Sequence, residues 1–388
     1  MGSTNRKIGQ YLELVEVSNS GLEYGTDRVR GVNNHKKLMP TRADLTTRDL
    51  SKFQVVRPGD FVFNHRTSRN GGKFSIAFND GAEDVICTED YVVFHVREDA
   101  KGSLSALWLY MFFNRAEFDR YVITNSWGSS TEFFNWEDLC DIEIDLPPLP
   151  VQEKYVAVYK AMLANQSAYE KGLSDLKLAC DAYVEELKRK SKKERIGEWL
   201  RLSDARNEGS KYKADDVRGL STSKQIIPTV ADVNGVGLSG YKIFAPHSFA
   251  YVADTSRRGD KVSLGYNDTE ETFLVSPIAI VFSTDETHLL PAYLMAFFSR
   301  SEFDRYARFN SWGSAREMFN WEDMCDVKIP LVDMETQQAV ADMFVAYRLR
   351  AELNEKLKAQ VQQACPILIK GSLDEARKAR SRRKEVLS

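Results

Sequence analysis

The chain of 388 residues is poor in the features that mark membrane proteins, secreted proteins and most enzymes. No apolar run approaches the ~20 residues that a membrane-crossing helix needs, and no secretory pattern opens the sequence, so a cytoplasmic protein with no membrane partner is expected. The five cysteines stand alone without CxxC spacing, which argues against a disulfide framework or a zinc ribbon. Net charge is only −3, and residues 1–150 hold 17 Lys and Arg against 22 Asp and Glu. Any affinity for a polyanion must then come from local basic clusters rather than from overall charge. Catalytic signatures are also missing. There is no P-loop, since NGGKF lacks both the spacing and the hydroxyl, no GxGxxG after a strand and no GxSxG elbow.

What the chain does have is one block written twice. Phe113–Leu146 and Phe298–Leu331 share 22 of 34 residues at an offset of 185, with no gap. Thr67–Asp80 (TSRNGGKFSIAFND) matches Thr255–Asp268 (TSRRGDKVSLGYND) at an offset of 188, and Ile8-Gly9 pairs with Ile196-Gly197 at the same offset. Each copy is about 190 residues, too long for a solenoid repeat and long enough for its own core. The duplication also tests for catalysis, because a duplicated enzyme repeats its chemistry. None of the five histidines falls on a histidine: His65 aligns with Ala253 and His247 with Gly59. The repeated carboxylates Glu117, Asp119, Glu137, Asp138 and Asp141 read better as caps and ion-pair partners of Arg115 and Arg120 than as a nuclease centre. A non-catalytic chain without cofactor or metal is expected.

Each copy divides into a mixed part and a helical part. Phe61-Val62-Phe63 and Tyr91-Val92-Val93-Phe94 are strand-like, with turn signals at Asn70-Gly71-Gly72 and Asn79-Asp80-Gly81, and Leu104–Val122 reads as one buried helix. Prolines 147, 148 and 150 then open a long helix. Its residues Tyr155, Tyr159, Met162, Gln166, Tyr169, Leu173, Leu176, Cys180, Tyr183 and Leu187 alternate at spacings of four and three, the seam of a coiled coil. The second copy carries Val340, Phe344, Tyr347, Leu357, Val361, Cys365 and Leu368, and Pro366 is expected to kink or end that helix. The economical arrangement is an α+β chain: two similar mixed α/β globular domains related by approximate two-fold symmetry, separated by a pair of long antiparallel coiled-coil helices. The expected limits are 1–148 for the first domain, 149–190 for its helix, 191–331 for the second domain, 332–372 for the second helix and 373–388 for a basic tail. The tail and the Leu187–Arg195 basic run are read as solvated helix ends, with a direct DNA role as the alternative.

Two loops in each copy suit polar readout. Thr67, Ser68, Arg69, Asn70 and Lys73, preceded by Arg66, match Thr255, Ser256, Arg257, Arg258 and Lys261. Hydroxyls, guanidinium forks and glycines that permit close approach are what phosphates and guanine edges require, although an ordinary polar hairpin has the same composition. The second loop holds Asn125, Ser126 and Ser129, matched by Asn310, Ser311 and Ser314 with Arg316 beyond them. Such residues either read bases or simply close a turn on their own backbone. Trp127 and Trp312, like Trp136 and Trp321, are read as core anchors rather than as base-stacking platforms.

The order of these parts, with the lead-in DIEIDLPPLPVQ from Asp141 to Gln152 and its looser copy from Asp326 to Gln337, resembles the specificity (S) subunit of Type I restriction–modification systems. The resemblance covers the whole chain. It implies two target-recognition domains that each read half of a bipartite site in double-stranded DNA. It implies a helix pair that acts as a ruler and docks methyltransferase (M) subunits, two of them expected, with restriction (R) subunits completing the complex. Adenine-N6 chemistry and S-adenosylmethionine belong to M, in keeping with the missing catalytic motifs. The acidic recognition domains depart from a free-standing DNA binder. In many members the two recognition domains differ strongly, whereas here they are alike, which implies a near-palindromic site. The competing expectation is a non-catalytic protein-binding scaffold organised on the coiled coil.

Overall fold

The computed structural model describes residues 5–41, 43–67, 72–233, 235–255, 261–314 and 316–387. The chain forms two compact units, one of residues 1–168 with 355–388, the other of residues 169–354. Each holds one globular domain and parts of two long helices.

In the first unit, strands Leu12–Val15, Tyr91–Val96, Phe61–Asn64 and Ile76–Phe78 lie side by side in that order, all antiparallel. Alternation along Phe61–Asn64 sends Phe61 and Phe63 to one face and Val62 to the other, so the sheet is buried on both sides. Phe61 stands opposite Phe94 in the ladder, and their rings stack at 5.0 Å. Three separate two-stranded antiparallel sheets accompany it: Arg30–Val32 with Leu38–Pro40, Gln54–Val56 with Val85–Cys87, and Asn5–Lys7 with Glu143–Asp145. The expected strands at Phe61 and Tyr91 are therefore present.

Helices α1 (Ala106–Phe113), α2 (Ala116–Thr124) and α3 (Trp136–Cys140) cover one face. The expectation of one helix over Leu104–Val122 is corrected here. Asn114 ends α1 by bonding its side-chain amide to the Tyr110 carbonyl at 2.8 Å, and Arg115 is extended. The break folds α2 back, so that Phe118 meets Phe113 with ring centroids 4.7 Å apart. In α3, Asn135 and Asp138 form a capping box, and Asp141 pairs with Lys7 at 2.7 Å, which accounts for two of the tempting carboxylates.

Helix α4 runs from Leu149 to Lys190. Its first turn is clamped to the domain by the fully buried Gln152, whose amide donates to the carbonyls of Ser103 and Pro147 and whose oxygen accepts from Ser105 N–H, at 2.7–2.9 Å. Along the middle of α4 the seam residues Met162, Gln166, Tyr169, Leu173, Leu176, Cys180 and Tyr183 are half-buried, while Glu170, Lys171, Ser174 and Asp175 are exposed.

The second unit repeats the plan. Strands Leu200–Ser203, Ala279–Thr284, Ser248–Val252 and Ser263–Tyr266 form the sheet, and Phe249 stacks on Phe282 at 5.0 Å. Helices α5 (Pro291–Phe298), α6 (Ser301–Phe309) and α7 (Trp321–Cys325) repeat α1 to α3, including the break, here at Ser299-Arg300. Gln337 repeats the clamp of Gln152, bonding His288 and Val332 carbonyls and the Leu290 N–H.

Helix α8 is unbroken from Met334 to Leu387. Pro366 does not end it, and residues 373–387, expected as a separate basic tail, continue the helix; of the two expectations for Pro366, a kink or an end, the second is corrected. A mid-helix proline costs roughly 3 kcal/mol, but Ala364, Cys365 and Ile369 around it are buried and hold the helix in place. Within the first unit, Lys154 meets Glu375 at 2.8 Å, the Tyr155 ring lies against Gly371, and Tyr159 packs with Cys365. Rising numbers on α4 meet falling numbers on α8, so these segments are antiparallel. Arg377 and Arg380, expected to be solvated, pair with Asp145 at 3.1 and 2.7 Å. Burial alone would raise the Asp145 carboxyl, yet the two guanidinium groups hold it below its ordinary value. No helix among the described residues is long and apolar enough to cross a membrane.

Candidate functional site

In each unit the two polar loops, some sixty residues apart in sequence, are fastened together. Thr67 donates its N–H to the Glu132 carbonyl at 2.9 Å and its hydroxyl to the same oxygen at 3.2 Å. Phe134 N–H returns to the His65 carbonyl at 2.8 Å, and Trp127 exchanges both backbone bonds with Phe133. The second unit repeats this between Thr255 and Glu317, Phe319 and Ala253, and Trp312 and Met318. Gly128 and Gly313 have φ of +152° and +140°, and a β-carbon at either would collide with the carbonyl oxygen three residues on. Only glycine closes this turn.

Several expected contact residues are consumed by this construction. Ser126 and Ser311 are buried, with hydroxyls bonded to the carbonyls of Val122 and Ala307 at 2.7 and 2.6 Å. Asn125 and Asn310 bond back to Tyr121 and Tyr306, each at 2.8 Å, and so end α2 and α6. Thr67 and Thr255 are buried as well. These six side chains hold the loops in place, because short polar groups after a helix find their nearest partners in its last orphan carbonyls. Arg66, Lys73, Ser129, Lys261, Ser314 and Arg316 are exposed beside them. Arg66 lies 3.4 Å from Asp90. Ser68, Arg69, Asn70, Ser256, Arg257 and Arg258 lie outside the described residues.

The tryptophans divide. Trp136 and Trp321 pack on Phe94 and Phe282, each at 5.4 Å, as core anchors. Trp127 and Trp312 are 72% and 65% exposed, which corrects the reading of them as core. Their backbones are tied into the turn, and Phe134 and Phe319, seven residues further on, supply the buried rings.

Sequence reasoning missed Lys36 and Lys224. Both are buried in tight turns with φ of +61° and +62°. Lys36 donates to Asp119 at 2.5 Å and to the Phe74 carbonyl at 3.0 Å, while Asp119 accepts from Phe74 N–H at 3.0 Å. Lys224, Asp304 and Val262 repeat the triad. Burial pulls both lysine pKa values down, and the facing carboxylates oppose it. Each triad pins the strand that follows Lys73 or Lys261, and so anchors the far end of the polar loop. The signal was present in the duplication, since Lys36 and Lys224 sit at the shared offset. Among the described residues, no group of three His, Cys, Asp or Glu side chains is placed to hold a metal ion.

No protein-family model matches the chain, and no curated protein matches it. Solved structures do. The S subunit of a Type I restriction–modification system from M. genitalium is 12% identical, with 95% of each chain covered and a TM-score of 0.56. The HsdS subunit of Thermoanaerobacter tengcongensis is 14% identical over 96% of this chain and 95% of that one, with a TM-score of 0.38. A chain from a structure on assembly and conformational transition of the type I R-M system is 16% identical over 96% of both, with a TM-score of 0.47. The likeness to the first of these shows the fold: over 95% of its length the chain has the fold of that S subunit.

Proposed function

We propose that the chain is the DNA-reading subunit of a Type I restriction–modification complex. Each domain reads one half of a bipartite duplex site, and the chain itself does no chemistry. The observation that carries this reading is the pair of loops fastened to each other by the same backbone bonds in both domains of a chain with the S-subunit fold. Exposed Arg66, Lys73, Lys261 and Arg316 are suited to phosphates or base edges. Two methyltransferase subunits dock on the long helices and bring the adenine-N6 chemistry, and restriction subunits join them. Val345, Leu349 and Leu353 support such docking, since they form an exposed apolar row at a spacing of four on α8. The two long helices set the gap between half-sites. Matched deletion of about two heptads from both is expected to change the gap and leave the half-site bases alone.

The test is to co-express the chain with its cognate methyltransferase subunit and map N6-methyladenine across the host DNA. A two-part motif with a fixed gap is expected, with halves nearly inverted copies of each other. Unrelated halves would refute the near-palindrome. A stable complex that methylates nothing would refute the reading itself and favour a scaffold.

A further inference from the structure

Trp127 and Trp312 stand largely in solvent, yet both copies keep them. Around them the duplicated block has drifted: Thr124 against Phe309, Ser130 against Ala315, Thr131 against Arg316, and Phe133 against Met318. The last of these pairs even supplies the backbone partner of the tryptophan, and it tolerates change from an aromatic ring to methionine. Two indoles left 72% and 65% in solvent give up burial worth roughly 25 cal/mol per Å² of apolar surface. Both backbone groups of each tryptophan are bonded, and the adjoining glycine fixes the turn, so the ring is presented on a rigid support.

The surroundings name the occupant. The loop fastened to Trp127 carries exposed Arg66, which lies 3.4 Å from Asp90, and exposed Lys73, and the turn Asn125–Thr131 carries no charge at all. In the second unit Arg316 is exposed four residues after Trp312, and Lys261 is exposed on the partner loop, whose sequence also holds Asp254 and Asp260. An exposed apolar ring on loops that also expose Lys73 in the first unit and Lys261 and Arg316 in the second, in a protein of net charge −3, is complementary to a polyanion with apolar surface of its own.

We propose that Trp127 and Trp312 each pack against apolar surface of the DNA duplex in one half-site, and so determine specificity or position there. This inference rests on the DNA-reading function proposed above. Duplex DNA offers such surface in two places, the thymine C5-methyl in the major groove and the deoxyribose of the backbone. Phe309, 81% exposed where the first unit has Thr124, extends the apolar footprint at the second half-site only.

The experiment uses the full chain in complex with its methyltransferase subunit, and a duplex carrying the mapped motif. Binding is measured for wild type, Trp127→Ala and Trp312→Ala, with thymidine or deoxyuridine in each half-site. Each alanine variant is expected to bind at least tenfold more weakly, through a different half-site, with thermal stability unchanged and affinity largely recovered by Trp127→Phe or Trp312→Phe. If deoxyuridine weakens wild type but not the matching alanine variant, the contact is the thymine methyl. If deoxyuridine leaves both unchanged while alanine still weakens binding, the contact is deoxyribose. Alanine variants that bind as wild type, with the motif intact, overturn this inference alone. So do variants that lose the methyltransferase subunit instead of DNA. A wild-type complex with no bipartite motif overturns the DNA-reading function and this inference with it.

Discussion

Lys36 Nζ lies 2.5 Å from Asp119 Oδ1 in the interior of the first unit, across 83 positions of sequence. The pair tethers a turn, a helix and the strand after the polar loop at one point. Replacing Lys36 by Met leaves a buried carboxylate that, among the described residues, keeps the Phe74 N–H as its donor. The expected loss is about 3–5 kcal/mol, read by denaturant unfolding. Lys36→Met combined with Asp119→Leu is expected to recover part of it, because the orphaned charge is gone. Equal losses for the single and double variants would show that the pair does not act as a unit.

Tyr251 has the position that Phe63 has in the first copy, and it is fully buried. Its hydroxyl has no hydrogen-bond partner among the described residues. Tyr251→Phe removes a polar group that folding strips of water, so stability is expected to hold or to rise by about 1 kcal/mol. A clear loss in thermal unfolding would reveal a partner for that oxygen.

Gln152 satisfies three backbone groups where α4 leaves the first domain, and Gln337 does the same at the start of α8. Gln152→Leu keeps the volume and strands those groups, at an expected cost of about 2 kcal/mol or more. Gln152→Glu is expected to be no better, since a carboxylate cannot donate to the Ser103 and Pro147 carbonyls. Hydrogen exchange at Ser105 is the local readout, and unchanged protection there in Gln152→Leu would rule the clamp out.

Glu302 is held at about 2, chiefly by hydrogen bonding from Arg300. Its folded value lies below the ordinary 4.5, so its contribution to stability is complete above about 4.5 and fades as pH falls toward 2. The stability difference between wild type and Glu302→Gln is therefore expected to shrink over that window. A difference that stays constant from neutral pH down to 2 would remove the pairing from the account. Glu302 is partly exposed, so the effect is modest and screened by salt.

Much of this architecture was legible because the chain says it twice. The offsets identified two domains, alternation marked the strands at Phe61 and Tyr91, and four-three spacing marked the face of α4 that is half-buried. The ends of α4 were less clear: Val156 and Val184 are buried though neither lies on the seam, because there the helix also packs on a domain. The break at Asn114 was hidden inside a continuous apolar run, where a single asparagine is a weak stop signal. Pro366 gave a strong stop signal that packing overrode. At the loops, composition did not show which side chains face out. Asn125, Ser126 and Thr67 have the chemistry of both a reader and a turn, and local geometry spends them on the turn. Trp127, read as a core anchor, was misplaced for the opposite reason, since residue type alone argues for the core.

The composition of the first unit has a consequence for how the protein is made. Trp108, at the centre of its core, donates to the Ser372 hydroxyl at 3.1 Å, and Val361, Cys365 and Ile369 complete that core from the far end of the chain. A ribosome that has finished residue 168 must still make all of residues 169–354, which belong to the other unit, before those side chains exist. At ordinary rates of synthesis that is a wait of about 10–40 s. The domain that begins first is thus the last to close, and a transcript or peptide cut short near its end releases a chain whose unfinished part is its beginning.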